Sequence, residues 1–322
     1  MKSKESEDNN LKTILSNGKA YEPAGYDYIV DPDSGDPYAV SRSTGEVADV
    51  IFCPIVAGSI IYTPEQLEAI NKRKEAQQEF LKQKTRLDEL GQFSFVCASQ
   101  QFEDISPETA ARLIYLSTFL KWQSDMLRLT QRSQMNRDNL PEIMGLSRQT
   151  VSRFLDEVSP KYITLDDDGN IYMNPECFWR GKIGRHGEST SWRKIYIDSV
   201  KKLYRLAGKN KHRYLGYVFR MLPYISIEYN GLCSNIFEKD LNLVQFMTDK
   251  EFCNRIDYSY AAVSRLKDIY RGIRFDVDGH LEPFCAFVEV WNTTKIYVNP
   301  HILYNGTRPD IVAVLGNFCN GA

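Results

Sequence analysis

The chain has 322 residues, 43% hydrophobic and 25% charged, with 40 basic against 42 acidic side chains and a formal net charge of −2. This composition fits a folded chain of two or three domains and excludes a uniformly basic nucleic-acid coat or an acidic solvating tail. The charge is polarised, however: residues 1–50 hold 5 basic and 10 acidic side chains, whereas residues 180–220 hold 12 and 2.

Residues 1–20, opening MKSKESEDNN, are expected to form a disordered tail, and they lack the apolar h-region of a secretory signal. No run approaches the ~18 apolar residues of a membrane span. Seven cysteines (Cys53, Cys97, Cys177, Cys233, Cys253, Cys285, Cys319) are dispersed and never spaced C-x-x-C. They read as reduced, buried thiols of a cytoplasmic protein and not as metal ligands.

Tyr21 to Ala48 mixes aromatics with Pro, Gly and Asp, as a short β-meander does. Thr63 then suits an N-cap, Pro64 a first helical position and Gln66 a capping box, predicting a long helix through Leu90. Its hydrophobic stripe is thin, so it needs a partner surface. A homodimerisation arm and a bracing helix both satisfy that need. Residues 21–92 form the N-terminal unit of this reading, and a further helix starts at Ser106-Pro107-Glu108.

The stretch 137–154 has helix-turn-helix spacing. Leu140, Met144, Leu146, Val151 and Phe154 fall where two crossing helices need buried contacts, and Gly145 falls at the tight turn. Ser147 caps the second helix, leaving Arg148, Gln149, Ser152 and Arg153 outward. Arg and Gln read base edges in pairs of hydrogen bonds, and Ser suits the backbone. Residues 161–165, an acidic turn at 166–169 and residues 170–173 then read as a hairpin, the position of a wing. The same pattern serves protein contact alone in other settings.

The chain then repeats itself. Met135–Phe154 aligns without gaps to Met247–Leu266 at an offset of 112, and Ile171–Pro175 with Gly181 matches Ile296–Pro300 with Gly306 at 125. The extra residues are expected in the second wing, between a turn at 276–279 that echoes the first and residues 291–294. The second copy has Asp257 in place of Gly145 and offers Ser264, Arg265 and Lys267. Either it reads bases through Arg265, or it only positions the protein. The fold class expected is α+β, mainly helical, with two tandem winged helix-turn-helix domains at 93–183 and 195–310. A basic linker, 184–194, joins them, and 311–322 is a C-terminal tail.

Between the copies the basic side chains Lys182, Arg185, Arg193, Lys194, Lys201, Lys202, Arg205, Lys209, Lys211 and Arg213 are interleaved with aromatics. With Ser147, Ser152, Ser264 and Lys267 they are the expected contacts to the DNA backbone, where counterion release supplies salt-sensitive affinity. A solvated helix face is the plainer reading of the same charges. Acidic turns at 166–168 and at Asp276 and Asp278 oppose a wing tip laid against phosphates.

Ile195–Leu203, the segment ending Val263-Ser264-Arg265 and the closing Ile296–Pro300 with Gly306 resemble the RepL-like plasmid and phage replication proteins, over roughly residues 93–310. Those proteins are typically single-module, whereas here the pattern occurs twice. The resemblance implies a bacterial mobile element and a protein that binds double-stranded DNA as a replication initiator or transcriptional regulator. Host replication or transcription proteins are implied as further partners. The competing reading is a protein-interaction module, such as an anti-repressor. Four isolated histidines and no G-x-x-x-x-G-K-[ST] argue against an enzyme, and no cofactor or metal is expected.

Overall fold

The computed structural model describes residues 12–13, 26–30, 32–34, 37–48, 51–55, 58–62, 64–99, 102–130, 132–183, 192–290, 293–316 and 318. It is a mixed α/β chain, 39% helix and 23% strand, with the strands in small sheets and helix the larger part. It divides into two units, Met1–Lys82 and Gln83–Ala322. Thr63, Arg185 and residues 184–191 of the expected linker lie outside the described residues.

The first unit holds β1 (Lys12–Thr13), β2 (Tyr26–Val30), β3 (Pro37–Ser41), β4 (Val47–Ala48), β5 (Ile51–Ile55) and β6 (Gly58–Tyr62). β2, β3 and β4 make the antiparallel meander that the turn-rich sequence predicts. β1 pairs with β6, and β6 with β5. Lys12 and Thr13, assigned to a tail by their polar setting, pair through the backbone with Ile61 and Ile60, which requires no apolar side chain. Helix α1 (Pro64–Glu89) begins at the expected proline, and its exposed stretch carries a Glu68–Lys72 ion pair of 2.6 Å.

The second unit continues with β7 (Phe93–Cys97), α2 (Pro107–Ser117), α3 (Leu140–Met144), α4 (Arg148–Val158), β8 (Ile163–Leu165), β9 (Ile171–Met173), β10 (Phe178–Trp179) and β11 (Trp192–Tyr196). There follow α5 (Ile197–Ala207), α6 (His212–Phe219), α7 (Asp249–Arg255), α8 (Val263–Arg271), β12 (Arg274–Val277), β13 (His280–Pro283), β14 (Cys285–Val290), β15 (Thr293–Val298) and α9 (Pro309–Leu315). β7 is the centre of a three-stranded antiparallel sheet between β10 and β11. Ser106 caps α2, its side chain accepting from Thr109 N, and Pro107 opens the helix as expected.

The sequence repeat has a backbone counterpart. Arg128 N donates to Phe119 O at 2.9 Å, and Cys233 N to Tyr224 O at 2.7 Å. Leu127 N donates to Ile171 O at 3.0 Å, and Leu232 N to Ile296 O at 2.9 Å. Asn136 and Asn139 exchange side-chain-to-backbone bonds, as do Thr248 and Glu251 exactly one offset of 112 later. Asn174 and Asn299, the asparagines of the shared motif, each accept from the backbone two residues on and donate Nδ2 to a carbonyl, Lys161 O and Pro283 O.

Four expectations change. The registers Ile163↔Met173 and Cys285↔Val298 make β14–β15 the counterpart of β8–β9. The extra residues are therefore mostly a separate hairpin, β12–β13, ahead of the counterpart hairpin and packed on α5. The expected linker ends in β11, with Trp192 and Arg193 buried. One apolar core runs through Leu113, Ile114 and Phe154 to Val218, Leu266 and Ile296, so residues 83–322 pack as one unit and not as two separate modules. Finally, the expected C-terminal tail contains most of α9, whose Val312 joins Phe318, Tyr304 and Tyr196 in a second cluster.

α2 and α6 cross where Gly216 lies against Pro107: a Cβ on Gly216 would meet Pro107 O at 1.7 Å. Gly216→Ala is expected to lower unfolding free energy by about 1–3 kcal/mol or more, read from the urea midpoint, because a backbone carbonyl has no alternative rotamer.

Candidate nucleic-acid interface

The turn between α3 and α4 is set by Gly145, which adopts φ 63° and ψ 36°, the left-handed conformation expected there. The last carbonyls of α3 have no partners within the helix. Tyr115 of α2 donates to Ile143 O at 3.0 Å and Tyr204 of α5 donates to Met144 O at 3.2 Å. The two rings stack with centroids 3.9 Å apart, and Tyr204 stacks in turn on His212. A cleft of about 690 Å³ opens beside this stack, lined by Asn139, Glu142, Gly145, Arg205 and Lys209 among others.

Ser147 caps α4: its Oγ accepts from Thr150 N at 3.2 Å. Val151, Phe154, Leu155 and Val158 face the core, which turns Arg148, Gln149 and Arg153 to solvent and leaves Ser152 half-buried. At the second repeat Asp257 takes φ 53°, so the residue in Gly145's place has the same handedness. An Asp enters this region more readily than most side chains. Beyond it the geometry differs. Residues 260–262 form a 3-10 turn before α8, and Ser259 makes no side-chain cap. Tyr260, Ser264 and Arg265 are exposed.

The basic side chains separate into two groups. Lys182, Arg205 and Lys209 are exposed, and Arg213 is exposed while lying 4.0 Å from Glu108. Others are engaged internally. Lys202 Nζ sits 2.9 Å from Asp276 Oδ1, Lys211 Nζ donates to Gly272 O at 3.1 Å, and Lys201 Nζ lies 4.2 Å from the Phe119 ring centroid. Half-buried Lys194 stands over the Phe93 ring, its pKa lowered by burial.

Two expected contacts are corrected by their surroundings. Arg193 is 2% exposed in β11, and burial pulls its pKa down to about 10. A strand packed on both faces buries whatever side chain it carries, so this charge is not at the surface. Lys267 is paired with Asp249 at 3.0 Å and Glu289 at 3.7 Å and donates to Thr294 Oγ1. Its side chain and that of Asp249 are only 13% and 12% exposed.

The acidic hairpin turns also acquire roles. Asp166 accepts from Asn170 N and Nδ2, Asp168 N and Tyr172 OH, bonds that hold its carboxyl below the usual carboxylate range and close the β8–β9 turn. Asp276 anchors Lys202. Asp167, Asp168 and Asp278 stay exposed.

The cysteines described at 97, 177, 233, 253 and 285 are free and buried, and burial raises the Cys177 and Cys233 thiols to about 12 and about 11. Among the described residues no cluster of His, Cys, Asp or Glu has the makings of a metal site, and no helix is long and apolar enough to cross a membrane. Comparison with protein-family models, curated proteins and solved structures found no match.

Lys267→Ala should cost about 3 kcal/mol of stability by stranding Asp249, whereas Arg265→Ala should stay within about 0.5 kcal/mol. Urea unfolding of both variants separates a structural cation from a surface one.

His212 supplies a pH signature. Burial, helped by Arg112, pushes its pKa down to about 4 against the opposing hydrogen bond to Tyr204 O. The unfolded state therefore binds the proton first as pH falls. Stability should be complete above about 6.5 and decline towards pH 4, by at most about 3 kcal/mol. Comparing unfolding free energies of His212→Phe and the parent across that window checks this: the variant should show a shallower slope, the remainder coming from groups such as His301, whose pKa burial also lowers.

Proposed function

We propose that the chain is a sequence-specific double-stranded DNA-binding protein, built on two tandem winged helix-turn-helix units and acting as a replication initiator or transcriptional regulator of a bacterial plasmid or phage. One observation carries the reading. A helix capped by Ser147 follows a left-handed turn at Gly145, turns Arg148, Gln149 and Arg153 to solvent, and is followed by a hairpin. Arg and Gln at the first turns of such a helix match the donor and acceptor pattern of a major groove. The RepL-like resemblance of residues 195–203, 263–265 and 296–306 supports the same class and its cellular setting.

In this reading α4 is the principal reader and Ser152 lies near the backbone. Arg205 and Lys209, on the cleft beside Gly145, supply backbone contacts next to it, with Lys182 and Arg213 as further exposed cations. Arg265 is the base-contacting candidate of α8, with Ser264 beside it. Arg193 and Lys267 have no part in DNA contact.

Filter binding against pooled genomic fragments tests this directly. The parent should enrich a defined fragment set, and Arg148→Ala with Gln149→Ala should reduce discrimination by about 1–3 kcal/mol for each lost base contact. A parent protein that enriches nothing would sink the DNA reading and favour a protein-interaction module.

A further inference from the structure

The recurrence of backbone bonds extends to the strands that join the two repeats. Cys97 N donates to Cys177 O at 2.8 Å, and Tyr196 N donates to Ile302 O at 2.9 Å. Because 177 and 302 differ by the 125 of the shared motif, this pair equates residue 97 with 196, an offset of 99. The pairing of Phe178 with Val96 and of Leu303 with Ile195 gives the same equivalence. β11 is therefore the counterpart of β7, as α6 is of α2 and α8 of α4.

β7 and β11 are also each other's neighbours. Their antiparallel register is Trp192↔Cys97, Arg193↔Val96, Lys194↔Phe95, Ile195↔Ser94 and Tyr196↔Phe93. Phe95 and Lys194, equivalent at an offset of 99, face one another. Ser94 pairs with Ile195 just as its counterpart Arg193 pairs with Val96, the counterpart of Ile195. Exchanging the two strands thus maps the register onto itself. Only a twofold axis through the Phe95–Lys194 pair does that; a simple translation of one repeat would not. α2 and α6, which are counterparts, also pack on each other.

We propose that residues 93–310 form a single-chain counterpart of a twofold dimer, whose target is a pair of DNA half-sites in inverted orientation, one read by α4 and the other by α8. The proposal rests on the DNA-binding reading above. A twofold protein matches the local dyad of a duplex, with half-sites about one helical turn, or a multiple of it, apart. The half-sites differ in sequence because Arg148 and Gln149 are replaced by Tyr260 and Ala261, while Val-Ser-Arg at 151–153 and 263–265 is common to both.

Replacing two exposed residues makes the orientation readable. Tyr260→Arg with Ala261→Gln gives both helices the sequence Arg-Gln-x-Val-Ser-Arg. Bound duplexes are then selected from a random-sequence pool using the full chain. The parent should select two unlike segments, and the variant should select inverted repeats of one segment, preferring them roughly tenfold over direct repeats of that segment. The reciprocal variant, Arg148→Tyr with Gln149→Ala, should also select inverted repeats, of the other segment, and serves where the first fails to fold. Direct repeats, or one segment alone, in the variant selections would overturn the inverted arrangement while leaving DNA binding intact. If the parent enriches no duplex at all, the DNA-binding reading itself fails and this proposal falls with it.

Discussion

The second unit depends on the pairing of β7 with β11. Val96 and Ile195 are fully buried in it, and Phe95, Cys97 and Trp192 gather into a small cluster around it. Burying side chains of this size stabilises by about 1.5–3 kcal/mol each. Neither strand keeps this surface from water without the other. The contact is made by residues a hundred positions apart, so the first repeat completes its sheet only when the second is in place. This explains why the apolar core is continuous from Val96 to Leu303 and why the stretch read as a linker is structural at its end.

The same interdependence fixes the helix-turn-helix segment. The C-terminal carbonyls of α3 are satisfied by Tyr115 from its own repeat and by Tyr204 from α5. α5 stands between β11 and α6, whereas between β7 and α2 the described residues, 98–99 and 102–106, contain no helix. Its other neighbour, the hairpin β12–β13, is likewise an addition of the second repeat, and Lys202–Asp276 ties the two together. These additions brace each other, and α5 braces the turn ahead of α4. Elements present only in the second repeat thereby hold the turn of the first.

Much of the local structure was legible because it rests on short-range chemistry. The left-handed turn at Gly145, the caps at Ser106 and Ser147, the meander and the start of α1 at Pro64 all follow from one or a few neighbouring residues. The repeat was legible at 112 and 125, where side chains still match. It was hidden at 99 and 105, because there it survives as backbone bonds whose side chains have diverged: Phe119 against Tyr224, Arg128 against Cys233. Charge was the least legible property. Twelve cations in 41 residues suggested one basic face, but whether a cation is free depends on what folds against it. Asp276, distant in sequence, takes up Lys202, and strand packing takes in Arg193; beyond that stretch, Asp249 takes up Lys267. The candidate site was thus visible as a list of residues, and its division into surface and core was not.

The equivalent helices α4 and α8 also begin differently. α4 starts as a regular helix whose cap satisfies Thr150 N, so Arg148 and Gln149 project from a fixed frame. α8 starts after a 3-10 turn, and Ser259, in the place of Ser147, leaves the first turn without a side-chain cap. A 3-10 turn rises faster than an α-helical one, so the chain enters α8 by a tighter path than it enters α4. The left-handed Asp257 gives the second repeat the same turn without a glycine. The two repeats thus share the left-handed turn and differ in the residues that the helix after it presents. Under the DNA-binding reading proposed above, that pattern suits a pair in which one helix discriminates strongly and the other has a weaker, different preference.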